Sequence, residues 1–441
     1  MTIFQKSADG LNKEILKLAI PNILSNITIP LLGLVDTALM GHLDSLDYLG
    51  AIALGSMIFN IIYWSLGFLR MGTVGFTAQA YGAGDKQALT LIFKRGIFVA
   101  LSLGILVIVL SPWLIDLGIN LTSSGEGVKH YAANYVSIRI WAAPASLLIL
   151  VFSGWFLGVQ NAVYPMIIAI AGNVLNIVFS FVFVYYMNMN SAGAALGTVI
   201  AQYLSLVLAV YLFVKKYKKD IVKKKIGEVL KLREMKVFFS VNGDIFMRTL
   251  GIIFVISFFT IKSANISDSI LAVNSILFQF FLFFSFMLDG FANAAEAMTG
   301  EYLGAGNSFL LRKSIRRNLL FGLLFSFVFS IIYLFFGENI IKLLTDNEKV
   351  IINSRPLMIW VVLMPLISFA AFIFDGVFIG ATASKALRNG MIISVVFVFV
   401  PLYYFMPFDE LTGLWIAFLG FMAARGLTLG LMLNNSVYKK V

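Results

Sequence analysis

The sequence contains twelve stretches of mostly apolar residues, each near the roughly 20 that carry a helix across a hydrocarbon layer. Their approximate limits are 15–40, 47–78, 90–118, 131–158, 163–187 and 192–214, then 237–261, 269–298, 318–336, 356–380, 389–406 and 411–433. Backbone N–H and C=O groups find no water in lipid, so only the α-helix and the closed β-barrel satisfy them there. Barrel strands alternate apolar and polar residues, and no such alternation runs through these stretches. The expected fold class is therefore all-α, a polytopic membrane protein of twelve transmembrane helices. Composition agrees: 60% of residues are hydrophobic, 12% are charged, and the mean hydropathy is +0.92. A soluble domain carries about 25% charged residues, and a disordered chain is poor in apolar ones.

The basic residues orient the helices. With a cytoplasmic N-terminus, 24 of the 33 Lys and Arg fall on the inner side, ten of them between Lys215 and Lys236, and five fall on the outer side. Four, Arg70, Arg139, Arg248 and Arg425, lie within spans. That asymmetry is a positive-inside signal and places both termini in the cytoplasm. It also accounts for the net charge of +11. The run KKYKKDIVKKK at 215–225 reads as a topological anchor beside anionic membrane lipids, with no nucleic-acid partner expected.

The chain repeats itself. Gln79–Asp85 (QAYGAGD) matches Glu301–Asn307 (EYLGAGN) at an offset of 222 residues, and Gly158 meets Gly380 and Pro21 meets Gly243 at the same offset. Gly193 meets Gly413 at 220. Two six-helix bundles are expected, residues 1–214 and 237–441, joined by a basic linker at 215–236. An even number of spans per half makes the repeats parallel, the plan of a transporter that rocks around a central cavity.

Polar groups inside the spans are the candidate functional residues, because charge in the membrane is costly. Acidic candidates are Asp36, Asp244, Asp289, Glu296 and Asp375. Asp36 follows Pro30 by six residues in span one, roughly 10 Å below the outer surface at about 1.5 Å per residue. A carboxylate at that depth suits a group that loads and releases a proton, or else it pairs permanently with Arg139. Span five carries Asn173, Asn176 and Ser180, the last two on one helix face. With Thr198 of span six they offer oxygens to a small cation, or a hydrogen-bond network around Asp36; helix-to-helix adhesion is the plainer alternative. Arg248 in span seven is expected to pair with Asp289 in span eight, and Asp375 in span ten is either structural or functional. No cysteine and only two histidines are present, so no disulfide, thiolate, His-based metal centre or other cofactor is expected. Gly82–Gly84 and Gly304–Gly306 read as turns, lacking the lysine and hydroxyl of a phosphate loop.

The opening PNILSNITIPLLGLVDTALMGHL resembles the multidrug and toxic compound extrusion (MATE) family, in its DNA-damage-inducible F (DinF) branch. The same is true of FLRMGTVGFTAQAYGAGD (68–85), NGDIFMRTL (242–250), LDGFANAAEAMTGEYLGAG (288–306) and DGVFIGAT (375–382). The resemblance implies export of organic cations or amphipathic drugs, driven by proton or sodium entry, by a carrier that is not an enzyme. It places the family's essential first-helix aspartate on Asp36, its cation-site asparagine and threonine on Asn176 and Thr198, and its tenth-helix acidic position on Asp375. The DinF-type pattern also accounts for Arg248 and Asp289. Many relatives carry a second aspartate where this chain has Ser180, and that departure favours a proton over sodium. The expectation is a proton-coupled antiporter of a bacterial inner membrane, working as a monomer. The alternatives are sodium coupling and a flippase for lipid-linked precursors.

Overall fold

A computed structural model of the chain describes residues 8–41, 46–120, 124–222 and 226–441. In the first helix several side chains between residues 29 and 41, that of Asp36 among them, lie outside the described set. The first helix, α1, spans Ala8–Gly41 and runs through both Pro21 and Pro30. Eleven further helices among the described residues are long and apolar enough to cross a membrane. They are α2 (Asp47–Gly82), α3 (Lys86–Val109), α4 (Glu126–Gly158), α5 (Val163–Tyr186), α6 (Asn190–Tyr217), α7 (Leu232–Ile266), α8 (Asp268–Gly304), α9 (Ser308–Leu344), α10 (Glu348–Gly380), α11 (Ser384–Phe405) and α12 (Glu410–Lys440). No strand occurs among the described residues.

The chain packs as two compact units, Leu24–Phe238 and Phe239–Val441, the latter joined by α1 as far as Ile23. The first unit holds an aromatic core in which Phe93 stacks on Phe213 at 4.4 Å and Trp155 meets Phe213 edge-on at 5.0 Å. In the second, Phe259, Phe278 and Phe281 surround Phe418, and Trp415 donates from Nε1 to Asn274 Oδ1 at 3.2 Å. Aromatic rings supply much contact area where lipid removes the hydrophobic drive for helices to associate.

The internal repeat recurs bond for bond. Asp85 N donates to Ala80 O and Asn307 N to Tyr302 O, each at 2.9 Å. Gly84 and Gly306 sit at φ +69° and +66°, a left-handed conformation open to glycine at little cost. Asp85 and Asn307 then cap the next helix by accepting from Ala88 N at 2.9 Å and Leu310 N at 3.0 Å. After α4 and α10 the same turn appears with Gln160 and Thr382 at positive φ.

The repeats also share one close helix crossing. A Cβ added at Gly154 of α4 would meet Arg70 O of α2 at 2.6 Å, and one at Gly158 would meet Thr77 Cβ at 2.6 Å. In the second unit a Cβ at Gly376 of α10 would overlap Ala292 O of α8, and one at Gly380 would overlap Glu296 O. Each pair is glycine, three residues, glycine, the spacing that lets two membrane helices touch backbone to backbone. Because the obstacle at Gly376 is a backbone atom, no side chain can yield to relieve it. Gly376→Ala is expected to cost about 1–3 kcal/mol by overpacking, read as a lower thermal unfolding midpoint in detergent. An unchanged midpoint would show that the crossing relaxes freely.

Candidate functional site

In the first unit the polar residues of α5 face two different neighbours. Asn176 is buried and donates from Nδ2 to Thr198 Oγ1 of α6 at 2.8 Å. That hydroxyl in turn donates to Ala194 O at 3.0 Å. Asn173 reaches the other way, donating to Thr28 Oγ1 of α1 at 2.6 Å. Ser180 lies at a close approach of α5 and α6, since a Cβ at Gly197 would come within 2.7 Å of Ser180 N. The α-helical pattern gives way to a π-helical segment, Val182–Tyr186, two residues later. Wider π turns gather at functional positions because they re-aim the side chains around them.

Two buried oxygens of this group, Asn176 Oδ1 and Ser180 Oγ, have no hydrogen-bond partner among the described residues. A buried polar atom left unmatched costs about 1–3 kcal/mol, so such a pair marks a place for a ligand, an ion or water. Thus Asn176, Thr198 and Ser180 come together at the α5–α6 contact, while Asn173 ties α5 to α1. The side chain of Asp36, eight residues beyond Thr28, lies outside the described residues. Arg139 of α4 is held by Tyr135 OH at 2.6 Å and Ser56 Oγ at 3.3 Å, with its guanidinium 4.7 Å from the centre of the Phe59 ring.

In the second unit the buried polar residues that group together are charged. Asp375 of α10 is buried and receives two guanidinia on one oxygen, Oδ2. Arg248 of α7 is one donor, and Arg425 of α12 is the other at 2.5 Å. Arg425 also lies 5.4 Å from the Phe421 ring centre, and its Nη1 contacts Met422 Sδ at 3.4 Å. The Nε atoms of both arginines are buried without a partner among the described residues. Asp289 of α8 is half-buried and within electrostatic reach of Arg425. The expected Arg248–Asp289 pair is thus replaced by Arg248–Asp375. Equal depth made Asp289 a possible partner, but the rotation of each helix about its own axis decides which groups meet. Arg425 was missed as a partner. Its signal was present in the sequence, an arginine inside span twelve that requires a counter-charge.

The MatE family model matches the chain twice, over residues 21–182 and 245–405. The chain belongs to the MatE family. It is 39% identical over 421 residues to DNA damage-inducible protein F of Escherichia coli (strain K12), covering 95% of this chain and 91% of that protein. It is also 25% identical over 355 residues to the probable multidrug resistance protein NorM of Thermotoga maritima, covering 78% and 75%. Among solved structures, an outward-facing multidrug resistance MATE family transporter of the MOP superfamily superposes with a TM-score of 0.88 at 20% identity. That match covers 98% of this chain and 97% of the other. A MATE structure in the bent conformation gives 0.86 at 20% identity, over 97% and 96%. The fold is therefore the twelve-helix, two-repeat MATE architecture, and the MatE chain is a polytopic membrane transporter, not an enzyme.

Within this MatE chain, the Asp375 cluster joins three helices through charge with no water to replace a lost partner. Asp375→Asn is expected to cost about 3–5 kcal/mol, because it leaves two buried guanidinia facing each other. Replacing all three together, with Arg248→Met, Asp375→Leu and Arg425→Leu, should recover most of that loss. Unfolding midpoints in detergent read both effects. Equal stability of Asp375→Asn and the parent would remove the ion pairs from the account of what holds α7, α10 and α12.

Proposed function

We propose that the protein is a secondary active antiporter that exports organic cations or amphipathic drugs in exchange for protons, by alternating access. It works in a bacterial inner membrane, as a monomer, with both termini in the cytoplasm. Relatives named for multidrug resistance and for toxin extrusion support the substrate class, the bacterial relative at 39% identity supports the membrane, and the basic-residue asymmetry supports the orientation.

The observation that carries proton coupling is the make-up of the α5–α6 group. Thr198 Oγ1 already accepts from Asn176 and donates to Ala194 O. What is left to a ligand in this group is two neutral oxygens, Asn176 Oδ1 and Ser180 Oγ; the one carboxylate that the family resemblance assigns to the site is that of Asp36. A hard cation stripped of water asks for about six oxygens, more than these groups supply. A proton needs only the carboxylate. In the outward-open state Asp36 takes a proton from outside and loses its charge. Span one then rearranges near Pro30, and drug leaves as the cavity contracts; the proton is released inside. Coupling of this kind requires proton and drug to differ in affinity between the two states. The two unpartnered oxygens favour sodium as the second reading.

Purified protein in sealed vesicles, given ethidium and either a proton or a sodium gradient, separates them. The proton reading expects uptake driven by the proton gradient alone and lost in Asp36→Asn, with Ser180→Ala still transporting. The sodium reading expects sodium-driven uptake lost in Asp36→Asn and Ser180→Ala alike. No uptake under either gradient would overturn the substrate class and point to the lipid-linked precursor flippase.

A further inference from the structure

Arg95 belongs to the basic residues that mark the proposed cytoplasmic face, and a topological arginine needs only to lie near lipid headgroups. Instead it is 7% exposed. From α3 its Nε donates to Val229 O at 2.9 Å and its Nη2 to Glu228 O at 3.4 Å, with Nη1 3.5 Å from the Glu234 carboxylate. The two carbonyls lie in the connection between α6 and α7, and Glu234 lies in the first turn of α7. Val229 ends the short helical turn Ile226–Val229, whose last carbonyls have no partner further along the turn, and a guanidinium fork satisfies two of them at once.

The connection is fastened at two other points. Val222 N donates to Thr90 Oγ1 at 3.1 Å, one turn and a half before Arg95 on α3. Met235 and Phe238, in the first two turns of α7, are buried in the same cluster as Leu89, Ile92 and Phe93, and Phe238 stacks on Phe76 of α2 at 5.8 Å. A cavity of about 340 Å³ remains under this segment, between Leu91, Arg95, Glu228 and Phe238. The internal repeat does not dictate the arrangement. Arg317, 222 residues on, makes no corresponding bond among the described residues.

We infer that Arg95 is the pin of a clasp that keeps Val222 and the stretch from Ile226 to Phe238, at the start of α7, a rigid part of the Leu24–Phe238 unit throughout the transport cycle. A chain segment that looks in the sequence like a slack, lysine-rich tether is then a positioning element. It delivers movement of the unit directly to the first turns of α7. The inference rests on transport and not on the coupling ion.

The protein has no cysteine, so a pair introduced by Thr90→Cys and Val222→Cys reports on this contact alone. Oxidation in sealed vesicles is expected to cross-link the pair readily and to leave ethidium uptake at the rate of the reduced protein. Arg95→Leu is expected to lower uptake while the protein stays inserted and folded, and the cross-link added to Arg95→Leu should restore it, which a purely structural defect would not allow. Amide exchange over residues 226–238 reads the clasp without any substrate: about tenfold faster in Arg95→Leu, the loss expected from removing such hydrogen bonds. Uptake stopped by the cross-link and recovered with reductant would overturn the inference, since the connection would then have to lift in each cycle. Failure of the pair to cross-link, or exchange unchanged in Arg95→Leu, would overturn it as well. Should Arg95→Leu fail to fold, the cross-link in the parent background decides. If ethidium is not carried at all, the exchange measurement still decides for the clasp, and the failure belongs to the substrate reading.

Discussion

Inside a hydrocarbon layer there is no water to hydrogen-bond an exposed polar group, and the rest of this structure follows from that deficit. Backbone groups are satisfied within helices. Side-chain hydroxyls on these helices turn back to their own backbone, as Ser205 does to Ala201 O at 2.7 Å and Ser326 to Gly322 O at 2.7 Å. Helices that gain little from leaving lipid for one another must instead approach closely. Gly154 and Gly158 on α4, and Gly376 and Gly380 on α10, supply that approach in both repeats. A charge that enters the layer must bring its partner, and Asp375 with Arg248 and Arg425 obeys that rule in the second unit.

The two repeats are alike in backbone and unlike in chemistry. Their turns and helix crossings correspond position by position, because both descend to the same requirements of close packing and chain reversal. The side chains that fill the two interiors do not correspond. The first unit holds a neutral set, Asn173, Asn176, Thr198 and Ser180, with two oxygens unmatched. The second holds an ion-pair cluster in which one carboxylate oxygen, Asp375 Oδ2, accepts from two arginines. A repeat can thus leave two buried oxygens unmatched in one half while the other half pairs its charges with one another. The basic connection shows the same economy: some of its lysines face outward, while Arg95 opposite holds it down.

Much was legible before any coordinates. Twelve apolar stretches, none with a strand period, leave the helix as the only element, and the recurrence of QAYGAGD as EYLGAGN announces two similar bundles. The positions of Asn176, Ser180 and Thr198 were named from the sequence because polar residues are conspicuous in an apolar helix. The same reasoning singled out Arg248, Asp289 and Asp375. In the sequence Arg95 is only one of the 24 basic residues on the inner side, since burial on one helix by a distant segment leaves no mark on local composition.

What the order of residues settles is whatever the solvent dictates one segment at a time: which stretches cross, how many, and where glycine, proline and capping residues turn the chain. Partnership is a different matter. Arg248 meets Asp375, Asn173 meets Thr28, and Arg95 meets Val229 O, because each helix is rotated and shifted against its neighbours until side chains from 127, 145 and 134 residues apart interlock. No periodicity within a single helix encodes that rotation. It is set by the whole packed unit at once, and so it became visible in three dimensions alone.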